Sequence, residues 1–247
     1  MTSEATEKDQ QANPLHEISL TAFLVGAFGG VSLGFVLFTR FSPLAVYFVA
    51  LSVFHFLEYY ITAKHNSSKV TKDSFLLNNG TEYIAAHILA VAEYLLESYF
   101  TSNWKNNRIL IIITGTSITC LGQFLRSRAM FEAGESFSHV IAQTKREDHL
   151  LVTKGVYSLS RHPSYAGFFW WALGTQMLLQ NPVCLVGFGV VLWKFFSRRI
   201  RCKCFFEPVT SLRYTNIYSD EETKLVSFFG DDYRRYRKST KTLIPFI

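Results

Sequence analysis

Long apolar runs alternate with short polar segments along the chain. A helix that crosses a bilayer needs roughly 20 mostly apolar residues, and several runs approach or reach that length. This pattern predicts an all-α integral membrane protein with about six transmembrane helices. The fifth and sixth runs are short and only Asn181-Pro182 separates them, which predicts a tight helical hairpin over 165–198. The predicted spans are residues 19–38, 44–62, 83–99, 109–125, 165–180 and 183–196.

Composition and charge agree with a membrane location. Hydrophobic residues make up 49% of the 247 and aromatic residues 16%, which is too apolar for an ordinary soluble domain. The net charge of +6 could indicate nucleic-acid binding, but Lys and Arg fall between the apolar runs. Their alternation predicts six crossings with both termini in the cytoplasm and no nucleic-acid partner. The sequons at Asn66 and Asn79 then lie on the cytoplasmic side, and we expect neither to be glycosylated.

Small and ionisable residues inside the spans carry further predictions. His55 and Glu58 share one helix face, and so do Glu93 and Glu97. Each pair either lines a polar cavity or makes stabilising contacts within the bundle, and the second interpretation is favoured. Glycines recur every fourth position in the first run, which suits close helix packing. They are Gly26, Gly30 and Gly34.

The residue pattern does not support a metal or a dinucleotide site. His139, His149 and His162 are far apart, with no carboxylate or cysteine at ligand spacing, and Cys202 and Cys204 form a lone pair. No Gly-x-Gly-x-x-Gly motif follows a strand-like run. We therefore expect no metal ion and no Rossmann cofactor.

A polar turn at the start of the fifth run is the strongest candidate for a site. Arg161-His162-Pro163-Ser164-Tyr165-Ala166-Gly167 leads directly into apolar sequence. Pro163 suits the first turn of a helix. Ionisable groups at the mouth of a membrane helix are costly unless they line a site. The alternative is an interfacial anchor in which Arg161 extends its charge to water.

The segments around this turn resemble the isoprenylcysteine carboxyl methyltransferases, and the likeness covers nearly the whole chain. The turn alone is less specific, because sterol reductases and phospholipid N-methyltransferases carry similar blocks. The matching segments are Phe54-His55-Phe56-Leu57-Glu58, Ser74-Phe75-Leu76-Leu77-Asn78-Asn79-Gly80, Phe137-Ser138-His139-Val140, His149-Leu150-Leu151-Val152, Gly155-Val156-Tyr157, Arg161 to Tyr165, Gly174-Thr175-Gln176, Asn181-Pro182, Glu221-Glu222, Phe229-Gly230 and Ile244-Pro245-Phe246-Ile247.

The resemblance implies a multi-pass endoplasmic reticulum enzyme whose active site faces the cytoplasm. It would transfer methyl from S-adenosylmethionine (SAM) to the C-terminal carboxylate of a prenylated cysteine, so its partners are prenylated CaaX proteins and the lipid bilayer. Arg199 would hold the acceptor carboxylate, and Glu221 would act in catalysis and cofactor binding. The implied SAM-binding residues are Ala142, His149, Leu150, Leu151, Val152, Tyr157, His162, Pro163, Ser164, Tyr165 and Glu221.

The same resemblance divides the chain by role. Residues 1–18 would form a cytoplasmic tail, 19–130 a four-helix membrane part, and 131–247 the catalytic, cofactor-binding region. Two other functions stay open, a phospholipid N-methyltransferase or sterol reductase and a non-catalytic membrane scaffold. The sequence leaves lipid preference and oligomeric state open.

One departure from the family concerns residues 202–220. In the family, the matched arginine and the Glu-Glu pair lie about one turn apart on one helix, whereas here these residues separate Arg199 from Glu221. The segment is either a genuine loop or a translated intron. Cys202-Lys203-Cys204, Tyr214-Thr215-Asn216 and Ser219-Asp220 can encode fungal donor, branch-point and acceptor signals, which favours the intron. If the segment is present in the protein, we expect impaired or absent activity.

Overall fold

The computed structural model describes residues 15–38, 43–67, 70–100, 105, 108–145, 149–200 and 221–247. Within these ranges the regular structure is helical and contains no strand, as the apolar pattern predicts. Short 3₁₀ turns connect the longer elements, among them Lys72–Phe75, Gly134–Ser136 and Gly155–Ser158. The α-helices are α1 (Leu15–Phe38), α2 (Pro43–His65), α3 (Thr81–Phe100), α4 (Ile109–Ala133), α5 (Pro163–Leu179), α6 (Pro182–Ile200) and α7 (Glu221–Ser239).

Every predicted span coincides with a helix, α1 to α6. Among the described residues, α1, α2 and the helical stretch Ile109–Ser136 are long and apolar enough to cross a membrane. α5 has only 17 residues, and α3 carries several carboxylates and a histidine. α4 continues two turns beyond the predicted end at residue 125. In this extension Arg126 bonds Ser164 at the start of α5, and Arg128 pairs with Glu132 one turn further along α4.

The described residues form two compact units. The first runs to Ile112 and includes Leu178–Gln180. In this unit α1 and α2 pack around a small core of Ile18, Val70 and Phe75. The Tyr59 ring stacks on Phe75 at 4.2 Å.

Polar residues inside the first unit are largely tied to other protein groups. One His55 nitrogen, Nδ1, lies 2.8 Å from the Phe75 carbonyl, and the other lies 3.2 Å from the Tyr83 hydroxyl. Glu97 forms an ion pair with buried Lys105 at 3.0 Å. These contacts agree with the favoured interpretation that such groups are paired within the bundle, although His55 also borders an apolar cavity.

The second unit contains Ile113–Met177 and Asn181–Ile247. In this unit α4 and α5 approach each other closely at glycines. A Cβ atom built on Gly122 would lie 2.7 Å from the Gly167 carbonyl oxygen, and one on Gly174 would lie 2.5 Å from the Thr119 backbone nitrogen. The predicted packing glycines of α1 behave differently. A Cβ on Gly26, Gly30 or Gly34 would meet nothing within 4 Å, so among the described residues they make no close contact.

The C-terminal segment Thr240–Ile247 closes over the start of α5. The Ser160 hydroxyl donates to the Thr242 carbonyl at 2.7 Å, and the Arg161 backbone N–H donates to the Lys241 carbonyl at 2.9 Å. Ile244 is buried in the core of this unit. The tail therefore holds in place the polar turn that precedes α5.

Candidate active site

A chain of polar contacts begins at the first residue of α7. The Tyr165 hydroxyl donates to Glu221 Oε2 at 2.6 Å, and Arg199 Nε donates to the Tyr165 oxygen at 2.7 Å. A second Arg199 nitrogen donates to the His139 carbonyl at 2.6 Å. The structure thus places the two predicted catalytic residues at the ends of one short chain, with Arg199 Nε 3.8 Å from Glu221.

Glu221 reaches this position although residues 202–220 intervene in the sequence. Those residues, and with them the choice between a loop and an intron, lie outside the described part of the chain. α7 begins at Glu221 itself, and acidic residues suit the first turn of a helix because of the helix dipole. Both glutamates of the pair face the Arg161–Tyr165 turn.

Glu222 is the most enclosed charged residue here, with a side chain 3% exposed. Arg161 Nε and His162 Nε2 lie 2.7 and 2.9 Å from its Oε1 atom. The Tyr233 hydroxyl donates to the same oxygen at 3.1 Å, and Arg237 Nε lies 2.9 Å from Oε2. Burial by itself raises the pKa of Glu222, but its contacts with His162 and Arg161 outweigh burial and lower it to about 2.

A cleft of about 700 Å³, its open mouth included, lies in front of these groups. All of the predicted cofactor residues except Ala142 line it, and Arg199 is not in its wall. The predicted cofactor residues do not include the rest of this wall, although Arg161 starts the candidate turn and Phe137, Ser138 and Phe229 lie in segments that match the family. The remaining wall residues are Ala133, Ser136, Phe137, Ser138, Arg161, Leu225, Phe229, Tyr233 and Tyr236.

α7 supplies much of the missed wall because it is amphipathic and kinked. Gly230 adopts φ 57° and ψ −129°, which breaks the helix into two segments. Tyr233 and Tyr236 are buried on one face of the second segment. Their spacing of three in an otherwise charged stretch was the available signal.

The region around Lys145 and His149 packs against the first segment of α7. Lys145 Nζ donates to the Phe228 carbonyl at 2.9 Å, and the His149 ring packs 5.5 Å from the Phe229 ring. The Leu150 backbone N–H donates to the Ser136 hydroxyl at 3.1 Å. These contacts bring His149 to Val152, which are distant in sequence from α7, to the same cleft.

The turn Gly155–Ser158 positions Tyr157 in the cleft wall. Gly155 has φ +60°, and Glu132 Oε2 accepts the Val156 backbone N–H at 2.8 Å. The Tyr157 hydroxyl donates to the Ala129 carbonyl at 3.2 Å. Burial raises the pKa of Tyr157, so this hydroxyl stays protonated and acts as a donor.

On the expectation from the resemblance that the cleft binds SAM, Gly155→Ala should weaken binding of its demethylated product, S-adenosylhomocysteine (SAH), by about tenfold. A left-handed backbone costs roughly 1–2 kcal/mol for a residue with a side chain, and the new methyl would also collide with the Glu132 carboxylate. Isothermal titration calorimetry measures the effect, with Gly34→Ala as the control because that site is open. Unchanged affinity would show that the turn does not support the cleft.

Comparisons with known proteins identify the chain. A family model described as the isoprenylcysteine carboxyl methyltransferase (ICMT) family matches residues 113–204. The protein-S-isoprenylcysteine O-methyltransferase of Saccharomyces cerevisiae is 46% identical over 244 residues, covering 97% of this chain and 95% of the relative. The human enzyme of the same name is 38% identical over 236 residues, covering 95% of this chain and 76% of the relative.

A solved structure agrees with these relatives. It is described as the eukaryotic intramembrane Ras methyltransferase ICMT without a monobody. The match has a TM-score of 0.77 and 34% identity, and it covers 90% of this chain and 75% of that one. The helical fold, the membrane-length helices and these relatives define a membrane methyltransferase. The chain belongs to the isoprenylcysteine carboxyl methyltransferase family.

Proposed function

We propose that this chain transfers the methyl group of SAM to the C-terminal carboxylate of a prenylated cysteine. The observation that carries the proposal is the position of Glu221 beside Tyr165 and Arg199 at the edge of the cleft. The relatives' names describe O-methylation of isoprenylcysteine. The sequence predicts Arg199 and Glu221 as catalytic residues and Tyr165 as a cofactor contact.

The cleft residues fit SAM in size and chemistry. Small-molecule sites occupy about 300–1,000 Å³, which includes the cleft volume. Glu221, with a side chain 20% exposed, offers a carboxylate to the donor's ribose hydroxyls or its amino group. Leu225 and Phe229 provide an apolar surface for a flat base. Leu150, Leu151 and Val152 extend that surface.

The reaction asks little acid–base chemistry of the protein. The acceptor carboxylate is an anion at neutral pH, so its methylation needs no general base. When bound, SAM supplies an electrophilic methyl group on a sulfonium. The chain's own task is to hold the carboxylate in line and to exclude water, which is positioning.

Arg199 is suited to orienting the acceptor. A guanidinium has five N–H donors, and the contacts with Tyr165 and His139 use two of them. The remaining donors can hold a carboxylate in two-point geometry. Because Arg199 also donates to Tyr165, which in turn donates to Glu221, the guanidinium would interact with the acceptor carboxylate and with this polar chain at the same time.

The membrane arrangement follows from the same proposal. Six crossings by α1 to α6, with the cleft facing the cytoplasm of the endoplasmic reticulum, would let the lipid tail stay in the bilayer while its carboxylate reaches Arg199. The product ester is neutral, which strengthens membrane anchoring of prenylated CaaX proteins. In this proposal residues 131–247 form the catalytic region.

The test is methyl transfer in isolated membranes. The active form should be the one in which a single tyrosine, the residue left by removal of the predicted intron, replaces residues 202–220. We expect membranes with this form to transfer tritium from labelled SAM to a farnesyl-cysteine analogue as a base-labile ester. Phosphatidylethanolamine and a sterol serve as competing acceptors, because methylation or reduction of these would favour the alternative functions. The full chain with residues 202–220 is assayed in parallel and should show weaker or no transfer. Absence of ester with both forms would refute the proposed function.

A further inference from the structure

His162 lies between the two glutamates of α7. Its Nε2 atom is 2.9 Å from Glu222 Oε1, whereas its Nδ1 atom is 3.7 Å from Glu221 Oε1. The first distance is a hydrogen bond and the second is too long for one. His162 is buried and its ring stacks parallel to the Tyr165 ring at 5.5 Å, which holds the imidazole plane.

The surroundings of Glu222 decide which histidine nitrogen carries the proton. Arg161 and Arg237 place two permanent cations against this carboxylate, and Tyr233 adds a hydroxyl donor. An ionised carboxylate only accepts hydrogen bonds. The His162 Nε2 atom must therefore be the donor in its short contact with Glu222.

The opposite nitrogen then has a different role. A neutral imidazole protonated at Nε2 carries a lone pair on Nδ1. A doubly protonated ring would draw Glu221 Oε1 into a short ion pair, but Oε1 stays 3.7 Å from Nδ1 while Tyr165 holds the other oxygen, Oε2. Among the described residues, no group donates to Nδ1, and His162 lines the cleft.

We propose that Glu222 is a positioning residue that fixes the Nε2–H tautomer of His162, so that His162 Nδ1 and Glu221 Oε1 together accept hydrogen bonds from one multi-donor group of the methyl donor. The 3.7 Å separation of these two acceptor atoms suits a single ammonium or the neighbouring hydroxyls of a ribose. The inference rests on the proposed function, because it assigns part of the same cleft to SAM. A Glu-to-Gln change at Glu222 would remove the selection, since an amide nitrogen can donate to Nε2 and move the proton to Nδ1.

The first measurement concerns the tautomer in the unmodified protein. Histidine nitrogens labelled with ¹⁵N report protonation directly, and the His162 signals are assigned by their loss in His162→Gln. We expect an Nε2–H ring at neutral pH, and an Nδ1–H or doubly protonated ring would overturn the inference. This test does not use a Glu222 variant, so its result stands even where Glu222→Gln fails to fold.

The second measurement is a binding cycle by calorimetry with SAH and two analogues. One analogue lacks the α-amino group and the other has a 2′,3′-dideoxyribose. We expect the unmodified protein to lose about tenfold in affinity for the analogue missing the bound group, and Glu222→Gln to lose about tenfold for SAH. When Glu222→Gln binds that analogue, the two tenfold losses should not multiply, because the substitution and the analogue remove the same interaction. The analogue that shows this coupling identifies the amino group or the ribose.

Arg234→Gln is the matched control. It removes an exposed ion pair with Asp231 on the same helix and leaves every contact of Glu222 in place, so we expect the order of the three affinities to stay unchanged. Losses that multiply for both analogues would reduce Glu222 to a structural role. Failure of the unmodified protein to bind SAH at all would instead refute the proposed function, which keeps the two failures distinct.

Discussion

Arg199→Ala is expected to lower kcat/KM for the prenylated acceptor by about tenfold to a hundredfold, mainly through a higher acceptor KM. Hydrogen bonds between charged groups contribute about 1.5–3 kcal/mol, which corresponds to that range. The variant loses the guanidinium that could hold the acceptor carboxylate and also its bond to Tyr165. Arg199→Lys keeps the charge but lacks the two-point geometry of a guanidinium, so its kcat/KM should lie between those of the unmodified protein and Arg199→Ala. Initial rates with each substrate varied in turn provide both KM values.

Arg198→Ala is the matched control for this prediction. It removes the same side chain one position earlier on α6, where the residue is exposed. Its kinetic constants should stay within about twofold of the unmodified protein, since surface substitutions change little. A rise in the KM for SAM with no change in the acceptor KM would place Arg199 on the donor side of the reaction.

Gly122→Ala is expected to cost about 3 kcal/mol or more of stability and to lower the thermal midpoint by roughly 10 °C. The new methyl would lie 2.7 Å from the Gly167 carbonyl and closer still to the Trp171 nitrogen. Both are backbone atoms of α5, so no side-chain rotation relieves the contact. α4 and α5 would have to separate, and the Arg126 contact with Ser164 would open with them. Thermal unfolding of the detergent-solubilised protein measures the shift.

Gly187→Ala controls for the change of glycine to alanine within a helix. A Cβ atom at Gly187 in α6 would meet nothing within 4 Å, so the substitution should leave the midpoint unchanged or raise it slightly. Equal behaviour of the two variants would mean that the α4–α5 approach is looser than the structure indicates.

The helices were predictable because each of α1 to α6 carries a dense apolar run. The end of α4 was not, since Arg126 and Glu132 lie on helical turns that the apolar pattern does not mark. Glycine spacing was a poor guide to packing. Spacing alone does not say which face has a neighbour. The regularly spaced Gly26, Gly30 and Gly34 of α1 face open space, whereas Gly29 approaches Ser52 and Gly122 touches α5.

The candidate site also has parts that the sequence predicts and parts that it does not. Physical reasoning identified the turn that starts at Arg161, and the resemblance supplied His149 to Val152 and Glu221. Neither identified Glu222 as the hub that holds Arg161 and His162. That hub depends on contacts across about 60 residues of sequence, which local pattern does not encode. The position of Arg199 outside the cleft wall also depends on contacts between residues that are distant in sequence, so the sequence did not predict it.

The tail that covers the turn has a consequence for the order of synthesis. Ser160 is bonded to Thr242, which lies 82 positions later in the chain. At about 5–20 residues per second, a ribosome needs on the order of 10 s to cover that distance. α5 and α6 are made within this interval, while the Arg161–Tyr165 turn still lacks both α7 and the tail. The site is therefore completed only after the segment Thr240–Ile247 has been made.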